Sequence, residues 1–205
     1  MNSYLSRLCY LLALVSLCPC GLVGYGMPTQ DYSVEGKFAL AVEHQGQRQL
    51  SGHFDQVRGE LTQPAATISP YGKGRVVMRL DSWQPREAGQ PNPLEALTGH
   101  APAVYGVLDV DVLQGLAEAQ ERPGVPVRGR LLGYLSLGDS KQRIDAPVHV
   151  IALADNRVVV QAIGTVPLSC QQLGLVEEGA RKGEASRFFD DRLKGYFRLV
   201  LAQAR

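Results

Sequence analysis

VRGRLLGYLSLGDSKQRIDAPVHV, residues Val127 to Val150, gives the clearest indication of the fold class of this chain. Two runs in which apolar and polar residues alternate flank the polar loop 138–141. Side chains of a β-strand point to opposite faces at every residue, so this alternation predicts two strands, each buried on one face. The three- and four-residue spacing of an amphipathic helix is absent. We therefore predict a hairpin with one apolar and one charged face.

The same alternation recurs along most of the chain. It is found at residues 36–43, 49–57, 58–62, 75–81, 104–112 (with Val104 and Val112 on its apolar face), 157–166 and 193–201. Only residues 92–99 and 112–122 have helical character. About eight evenly spaced strands with short connections favour a barrel or a sandwich. We predict an all-β fold, an antiparallel, lipocalin-like closed barrel of about eight strands with one or two short helices.

Small residues interrupt the apolar faces of these strands, and we expect them on the inner side. An inner face that alternates large and small residues leaves an elongated cavity if the sheet closes, and a barrel of about eight strands holds one small ligand. The alternative is that the glycines relieve curvature at barrel corners while large side chains fill the interior. The residues concerned are Gly52, Gly106, Gly129, Gly133, Ala146, Ala152, Ala162, Gly164 and Gly195.

The N-terminus has the pattern of a secretory signal peptide. A single positive charge, Arg7, precedes an apolar run from Leu8 to Cys18, which is too short to span a bilayer. The small residues Gly24 and Gly26 follow it. We predict a signal peptide over residues 1–26 and a barrel domain over residues 27–205, located in the periplasm or secreted. A retained anchor helix and a lipidated cysteine at position 18 or 20 are the less favoured alternatives.

The number of cysteines and the charge of the chain indicate which disulfides and which classes of partner are expected. Cleavage leaves Cys170 as the single cysteine, so the domain has no internal disulfide. The chain has 21 basic and 20 acidic residues and a formal net charge of +1. Neither a basic patch nor a polybasic segment stands out in the sequence. We therefore expect no nucleic-acid partner and no stable membrane span, and the sequence leaves a homodimer open.

Four segments follow one another in an order that resembles a known family. FALAVEHQGQRQLSGHFDQVRGEL is similar to the family's opening meander, and GYLSLGDSKQRIDAPVHV has its strand–loop–strand form. VPLSCQQLGL stands in the place of a later segment, and RLKGYFRLVLAQA is similar to the closing strand. The family is the YceI-like family of secreted, lipocalin-like barrels. The middle third diverges, because TGHAPAVYGVLDV lacks the paired phenylalanines that the family carries there.

The resemblance implies a carrier, since members of this family bind a long isoprenoid chain inside the barrel. An apolar interior suits such a ligand, because burying each methylene contributes about 0.8 kcal/mol. Strand parity selects the residues that face the interior, and a slip of one residue would bring charges inward. We predict a site for an isoprenoid or fatty chain lined by Phe38, Leu40, Val42, Phe54, Val110, Leu131, Leu135, Val148, Val160, Phe197 and Leu199.

The sequence offers little for catalysis. It contains no Gly-x-Ser-x-Gly elbow, no His-Glu-x-x-His motif and no phosphate-binding glycine loop. His44 and His53 could meet across a hairpin, but a pair lacks the three or four ligands of a zinc site. Cys170 has no evident partner in the sequence. We predict no enzyme, no metal and no cofactor. The alternative to the carrier is a filled-barrel structural or interaction module, and a hydrolase built on the loops is least favoured.

Overall fold

The computed structural model describes residues 29–44, 47–64, 71–92, 94–95, 104–175 and 193–204. The predicted signal peptide lies outside the described residues, as does most of the predicted helix at 92–99, of which residues 94 and 95 are helical. The elements below belong to the described part of the chain.

Ten strands form one antiparallel sheet. A 3-10 turn (Leu80–Ser82) lies between the third and fourth strands, and a helix, α1 (Leu116–Glu121), lies between the fifth and sixth. The strands are β1 (Thr29–His44), β2 (Gln47–Pro64), β3 (Gly72–Arg79), β4 (Trp83–Pro85), β5 (Tyr105–Leu113), β6 (Val127–Leu137), β7 (Ser140–Ala152), β8 (Arg157–Ala162), β9 (Val166–Leu168) and β10 (Leu193–Gln203).

Eight of these strands close into a barrel. Their order is β1-β10-β8-β7-β6-β5-β3-β2, and the pairing of β1 with β2 closes the ring. The short strands β4 and β9 pair with β2 and β10 respectively. Phe38 and Phe197 lie opposite each other across β1 and β10, and their rings stack with centroids 6.5 Å apart. The predicted all-β closed barrel is confirmed.

Four local predictions are wrong. The runs at 49–57 and 58–62 belong to one strand, β2. A register shift between Val110 and Val112 reverses the parity of β5, so Leu113 is buried and Val112 is only half-buried. Val104 is exposed, because it precedes the strand. Since β5 continues to Leu113, the helix predicted over residues 112–122 begins later, at Leu116.

The interior is a single apolar core. All eleven residues predicted to face inward are buried in it, each with at most 6% of its surface exposed. The only buried polar or charged residues in the described part of the chain are Gln63, Ser82 and Gln142. Arg128, Arg130, Arg143 and Arg198 are exposed on the outer face, as the alternation predicts. Strand parity therefore identified the inner face correctly.

Two of the inner glycines, Gly129 and Gly133 of β6, mark close approaches of backbone rather than empty space. A Cβ at Gly133 would lie 2.0 Å from the carbonyl oxygen of Asp109, and one at Gly129 would lie 2.1 Å from that of Gln114. Gly164 is not on the inner face, because it lies in an exposed turn with φ +77°. A glycine within a strand that is approached closely by neighbouring backbone lets the strand bend sharply. The curvature interpretation therefore holds for Gly129 and Gly133.

Helix α1 covers one end of the barrel. Its buried residues Leu116 and Ala119 pack into the core, and Leu116 lies beside Leu61 where β2 approaches its end. The side chain of Gln120 donates hydrogen bonds to Tyr32 Oη and Gln30 Oε1, near the start of β1. Burial raises the pKa of the Tyr32 phenol above its ordinary value, which keeps this group neutral. This end of the barrel is closed by the helix.

Candidate ligand cavity

A small apolar cavity lies toward the end of the barrel opposite α1. Its volume is about 10 Å³, which is the room of roughly one water molecule. Every side chain around it is apolar, so it offers no partner for a polar group. The lining residues are Phe38, Leu40, Phe54, Met78, Leu80, Leu94, Leu135, Leu137, Leu168, Leu173 and Leu193.

Strands position most of this lining, and two connections complete it. Leu94 follows the segment after β4, and Leu173 belongs to the turn after β9. Both are almost fully buried, at 1% and 2% exposure. We call Leu94 and Leu173 the end plug, because they come from connections and lie among the residues that end the barrel on this side.

Hydrogen bonds to side-chain amides anchor each half of the end plug. Asn92 Nδ2 donates to the Leu80 carbonyl at 2.8 Å, and the Leu94 N–H donates to Asn92 Oδ1 at 3.1 Å. On the other side, Gln142 Nε2 donates to the Pro167 carbonyl, and Gln142 Oε1 accepts from the Ser169 N–H. A buried polar residue is costly unless its hydrogen bonds are satisfied. Gln142 meets this condition by holding the turn that carries Leu173.

The predicted site residues divide into two groups. Phe38, Leu40, Phe54 and Leu135 line the cavity. The other seven fill the core around it: Val42, Val110, Leu131, Val148, Val160, Phe197 and Leu199. The predicted elongated cavity is therefore wrong for this structure, because large side chains occupy most of the interior. Sequence reasoning missed seven lining residues: Met78, Leu80, Leu94, Leu137, Leu168, Leu173 and Leu193.

Comparison with solved structures identifies this architecture. A polyisoprenoid-binding domain from Saccharophagus degradans, implicated in plant cell wall breakdown, is similar with a TM-score of 0.59 and 18% identity, over 87% of this chain and 99% of that one. BcnA from Burkholderia cenocepacia is similar with a TM-score of 0.56 and 12% identity, over 80% of this chain and 95% of that one. Both are YceI-like structures. This chain has the YceI-like barrel fold. No protein-family model and no curated protein matches the sequence.

Trp83 lies beside the cavity of this YceI-like barrel and is the only tryptophan in the chain. Its ring packs on Phe54, which lines the cavity, with centroids 5.2 Å apart. The indole Nε1 is buried and has no hydrogen-bond acceptor among the described residues. Trp83 therefore reports directly on a change in the cavity wall at Phe54.

The charges of the YceI-like barrel lie on its outer face. Arg130 donates two hydrogen bonds of 2.6 Å to Asp145, and Arg75 Nε donates one of 2.7 Å to Asp109. The hydrogen bonds from Arg130 hold the pKa of the Asp145 carboxyl below its ordinary value. Every side chain that lines the cavity is apolar, so the cavity holds no acid–base pair for catalysis.

The described residues do not assemble a metal site. No group of three or more histidine, cysteine, aspartate or glutamate side chains lies close enough there to hold an ion. The register of β1 and β2 places His53 opposite Ala39 and His44 opposite Gln47, so the two histidines do not face each other. Cys170 is buried. In the same part of the chain, no helix is long and apolar enough to cross a membrane.

Proposed function

We propose that this chain is an exported carrier that shelters one lipophilic chain, of isoprenoid or fatty type, inside the barrel. The observation that carries the proposal is the wholly apolar cavity beneath the end plug. The polyisoprenoid-binding neighbour has the same fold and supports this ligand class. A barrel that only binds its ligand needs no catalytic residue, so we propose no enzymatic activity.

Binding a long chain requires the end plug to move outward, because the cavity is about 10 Å³. Leu94 and Leu173 come from connections, so their movement leaves the strand pairing of the barrel intact. Burying ten methylenes contributes roughly 8 kcal/mol, whereas exposing two leucines costs roughly 3–6 kcal/mol. Burial of the chain therefore offsets the cost of opening the end plug, and the affinity that remains is reduced by the freedom the ligand loses on binding. The end covered by α1 stays closed.

The second candidate is a filled-barrel structural or interaction module. The small volume of the cavity favours it, because the core is already well packed without a ligand. The two candidates differ in one property that experiments measure. A carrier copurifies with a lipophilic chain in a one-to-one ratio, and a filled module does not. Native mass spectrometry of the purified protein, followed by solvent extraction, distinguishes them.

A pair of variants on β5 tests whether the ligand occupies the cavity. The three nearest neighbours of a Cβ at Gly106 are Leu137, Met78 and Leu80, which all line the cavity. Gly106→Leu should therefore fill it and weaken binding of a fluorescent isoprenoid analogue at least about tenfold. Val107→Leu, on the outer face of the same strand, is the matched control and should bind like the parent. Equal binding by both variants and the parent would exclude this site.

The predicted signal peptide gives the carrier its location. We propose that residues 1–26 are removed and that the mature domain, residues 27–205, works in the periplasm or outside the cell. The intact mass of the protein isolated from its native host tests this. A mass that corresponds to a start near Met27 without lipid supports the proposal, and a mass that includes the first 20 residues contradicts it.

A further inference from the structure

The outer face of the barrel carries basic side chains in one row across five adjacent strands. The registers place Lys37 of β1 opposite Arg198 of β10, and Arg198 opposite Gln161 of β8. They then place Gln161 opposite His149 of β7, and His149 opposite Arg128 of β6. We call these five residues the basic row. It contains three cations, one histidine and one amide, and no carboxylate.

No member of the basic row makes an ion pair in the described part of the chain, although Lys37 Nζ contacts His53 Nε2 at 3.3 Å. The ion pairs in the described part of the chain belong to Arg75, Arg79, Arg122, Arg130 and Arg157, and none includes a member of the basic row. Like charges that face each other across two strands destabilise a sheet. Lys37 and Arg198 stand in this relation. An external anion that binds between them would relieve the repulsion.

Apolar side chains border the basic row on the outer face. In the next row toward one end, the exposed Glu35 of β1 lies opposite Val200, and the row continues with Val159 and Ile151. On the other side, Tyr196 lies opposite Ala39. The apolar residues of both rows are buried or half-buried, so they offer low-polarity surface beside the cations.

One part of the basic row lies in a groove. Lys37 and Arg198 line a depression of about 670 Å³ in the outer wall, together with Tyr196 and Val200. Glu35 also lines it, but Arg58 of β2 lies directly opposite that residue. Asp55 is the second acidic residue there, and Arg157, which is paired with Asp155, also lines the groove. Arginine and lysine therefore outnumber the carboxylates in the groove.

The curvature of the barrel limits what can bind along the basic row. The row covers five of the eight barrel strands, which is four strand spacings or roughly 19 Å, and it turns about halfway around the barrel. A flat anionic bilayer touches only one side of such a wall. A flexible linear polymer can follow the whole row. A sugar ring has apolar faces, and Tyr196 and Val200, which flank Arg198 on the outer face of β10, offer apolar surface for such a contact.

We propose that the basic row binds a linear acidic polysaccharide along the outer wall of the barrel. The site is separate from the apolar cavity, because its side chains point away from the core. The carboxylates of the polymer would lie between Lys37 and Arg198 at one end and beside Arg128 and His149 at the other. A sugar ring would contact Tyr196. Electrostatic attraction of this kind weakens as salt is added.

The experiment measures binding of a hexameric oligogalacturonate to the full mature protein by calorimetry at two salt concentrations. The double variant Lys37→Glu/Arg198→Glu reverses two charges of the basic row. The matched control, Lys73→Glu/Arg143→Glu, reverses two exposed charges elsewhere on the wall. We expect the parent and the control to bind alike and the basic-row variant to lose about tenfold or more in affinity.

Three outcomes would overturn the proposal. The parent fails to bind the oligosaccharide, both double variants lose affinity equally, or vesicles with anionic lipid bind the parent where the oligosaccharide does not. Binding of a fluorescent isoprenoid is measured in the same variants. It should be unchanged in all of them, so failure of the cavity and failure of the basic row give different results.

Discussion

Gln142 Oε1 accepts a hydrogen bond of 2.8 Å from the backbone N–H of Ser169. Gln142 is buried on the inner face of β7, and Ser169 begins the turn that carries Leu173. The Leu173 N–H in turn donates to the Ser169 carbonyl at 3.1 Å. Gln142 thus ties the barrel wall to half of the end plug, and the cavity is closed by a polar contact rather than by strand pairing.

The end plug gives the first prediction. Leu173→Ala should destabilise the fold by about 2–5 kcal/mol, as is typical for a buried leucine. The same change should increase affinity for a fluorescent isoprenoid, because it enlarges the cavity where the ligand enters. Leu116→Ala at the other end of the barrel is the control, with a similar loss of stability and unchanged affinity. Denaturant unfolding and fluorescence titration measure both quantities. Equal isoprenoid affinities in the two variants would contradict the proposal that the ligand enters the barrel at the end plug.

The glycines give a second prediction. Gly133→Ala should lower the free energy of unfolding by about 1–3 kcal/mol, because its Cβ meets backbone of β5 that cannot move aside. Gly164→Leu should leave isoprenoid affinity unchanged, since that residue lies in an exposed turn with nothing within 4 Å of its Cβ. Reduced affinity in a folded Gly164→Leu protein would show that this turn contributes to the site.

Strand parity predicted the barrel wall well, because each strand has one buried face. It identified the inner residues of β6, β7 and β10 and all eleven predicted interior positions. It failed at the register shift between Val110 and Val112, because one extra residue reverses the faces without changing the composition. It also placed Gly164 on a strand, although the chain turns after Ala162.

The cavity itself was harder to predict, for two physical reasons. Leu94 and Leu173 lie in connections, which have no periodicity that indicates a buried face. Met78, Leu137 and Leu193 do lie on apolar strand faces, but parity does not indicate where along a strand the interior is left unfilled. The volume of the cavity depends on how side chains from distant strands pack together, and this packing cannot be read from the order of residues in the sequence.

The basic row gives a third prediction, on stability. Lys37→Glu replaces a repulsive pair with an attractive one opposite Arg198, and it should raise the melting temperature by about 1–4 °C. Lys73→Glu on β3 is the control, because its neighbour across the strands is Thr62, and it should leave the melting temperature nearly unchanged. A drop in melting temperature for Lys37→Glu would contradict this expectation, because it would show that the contact of Lys37 with His53 outweighs the repulsion by Arg198. Differential scanning calorimetry at low salt measures both variants.

The surface ion pairs give a fourth prediction, on pH. Hydrogen bonds from arginine lower the pKa values of Asp81, Asp145 and Asp155 below the ordinary value of 3.8. The folded state therefore binds these protons less tightly than the unfolded state. The pairs stabilise the fold above about pH 4, and this contribution is lost as the pH falls through the lowered folded values.

Melting temperatures measured from pH 6 down to pH 2 check this expectation. The parent should lose stability below about pH 4. Asp145→Asn should lose less stability over the same interval, because it lacks one carboxyl group whose pKa is lowered in the folded state. Identical pH profiles for the parent and Asp145→Asn would show that the Arg130–Asp145 pair does not contribute to acid sensitivity.

Fluorescence of Trp83 tests most directly whether the barrel holds a lipophilic chain. The chain has one tryptophan, and its ring packs on Phe54 at the cavity wall. Titration with a conjugated isoprenoid such as retinol should quench Trp83 by energy transfer and reach saturation at one ligand per protein. In Gly106→Leu the quenching should be lost while Val107→Leu behaves like the parent. Quenching that never saturates, or that persists unchanged in Gly106→Leu, would contradict the proposed carrier function. The filled-barrel structural or interaction module would then be the better explanation.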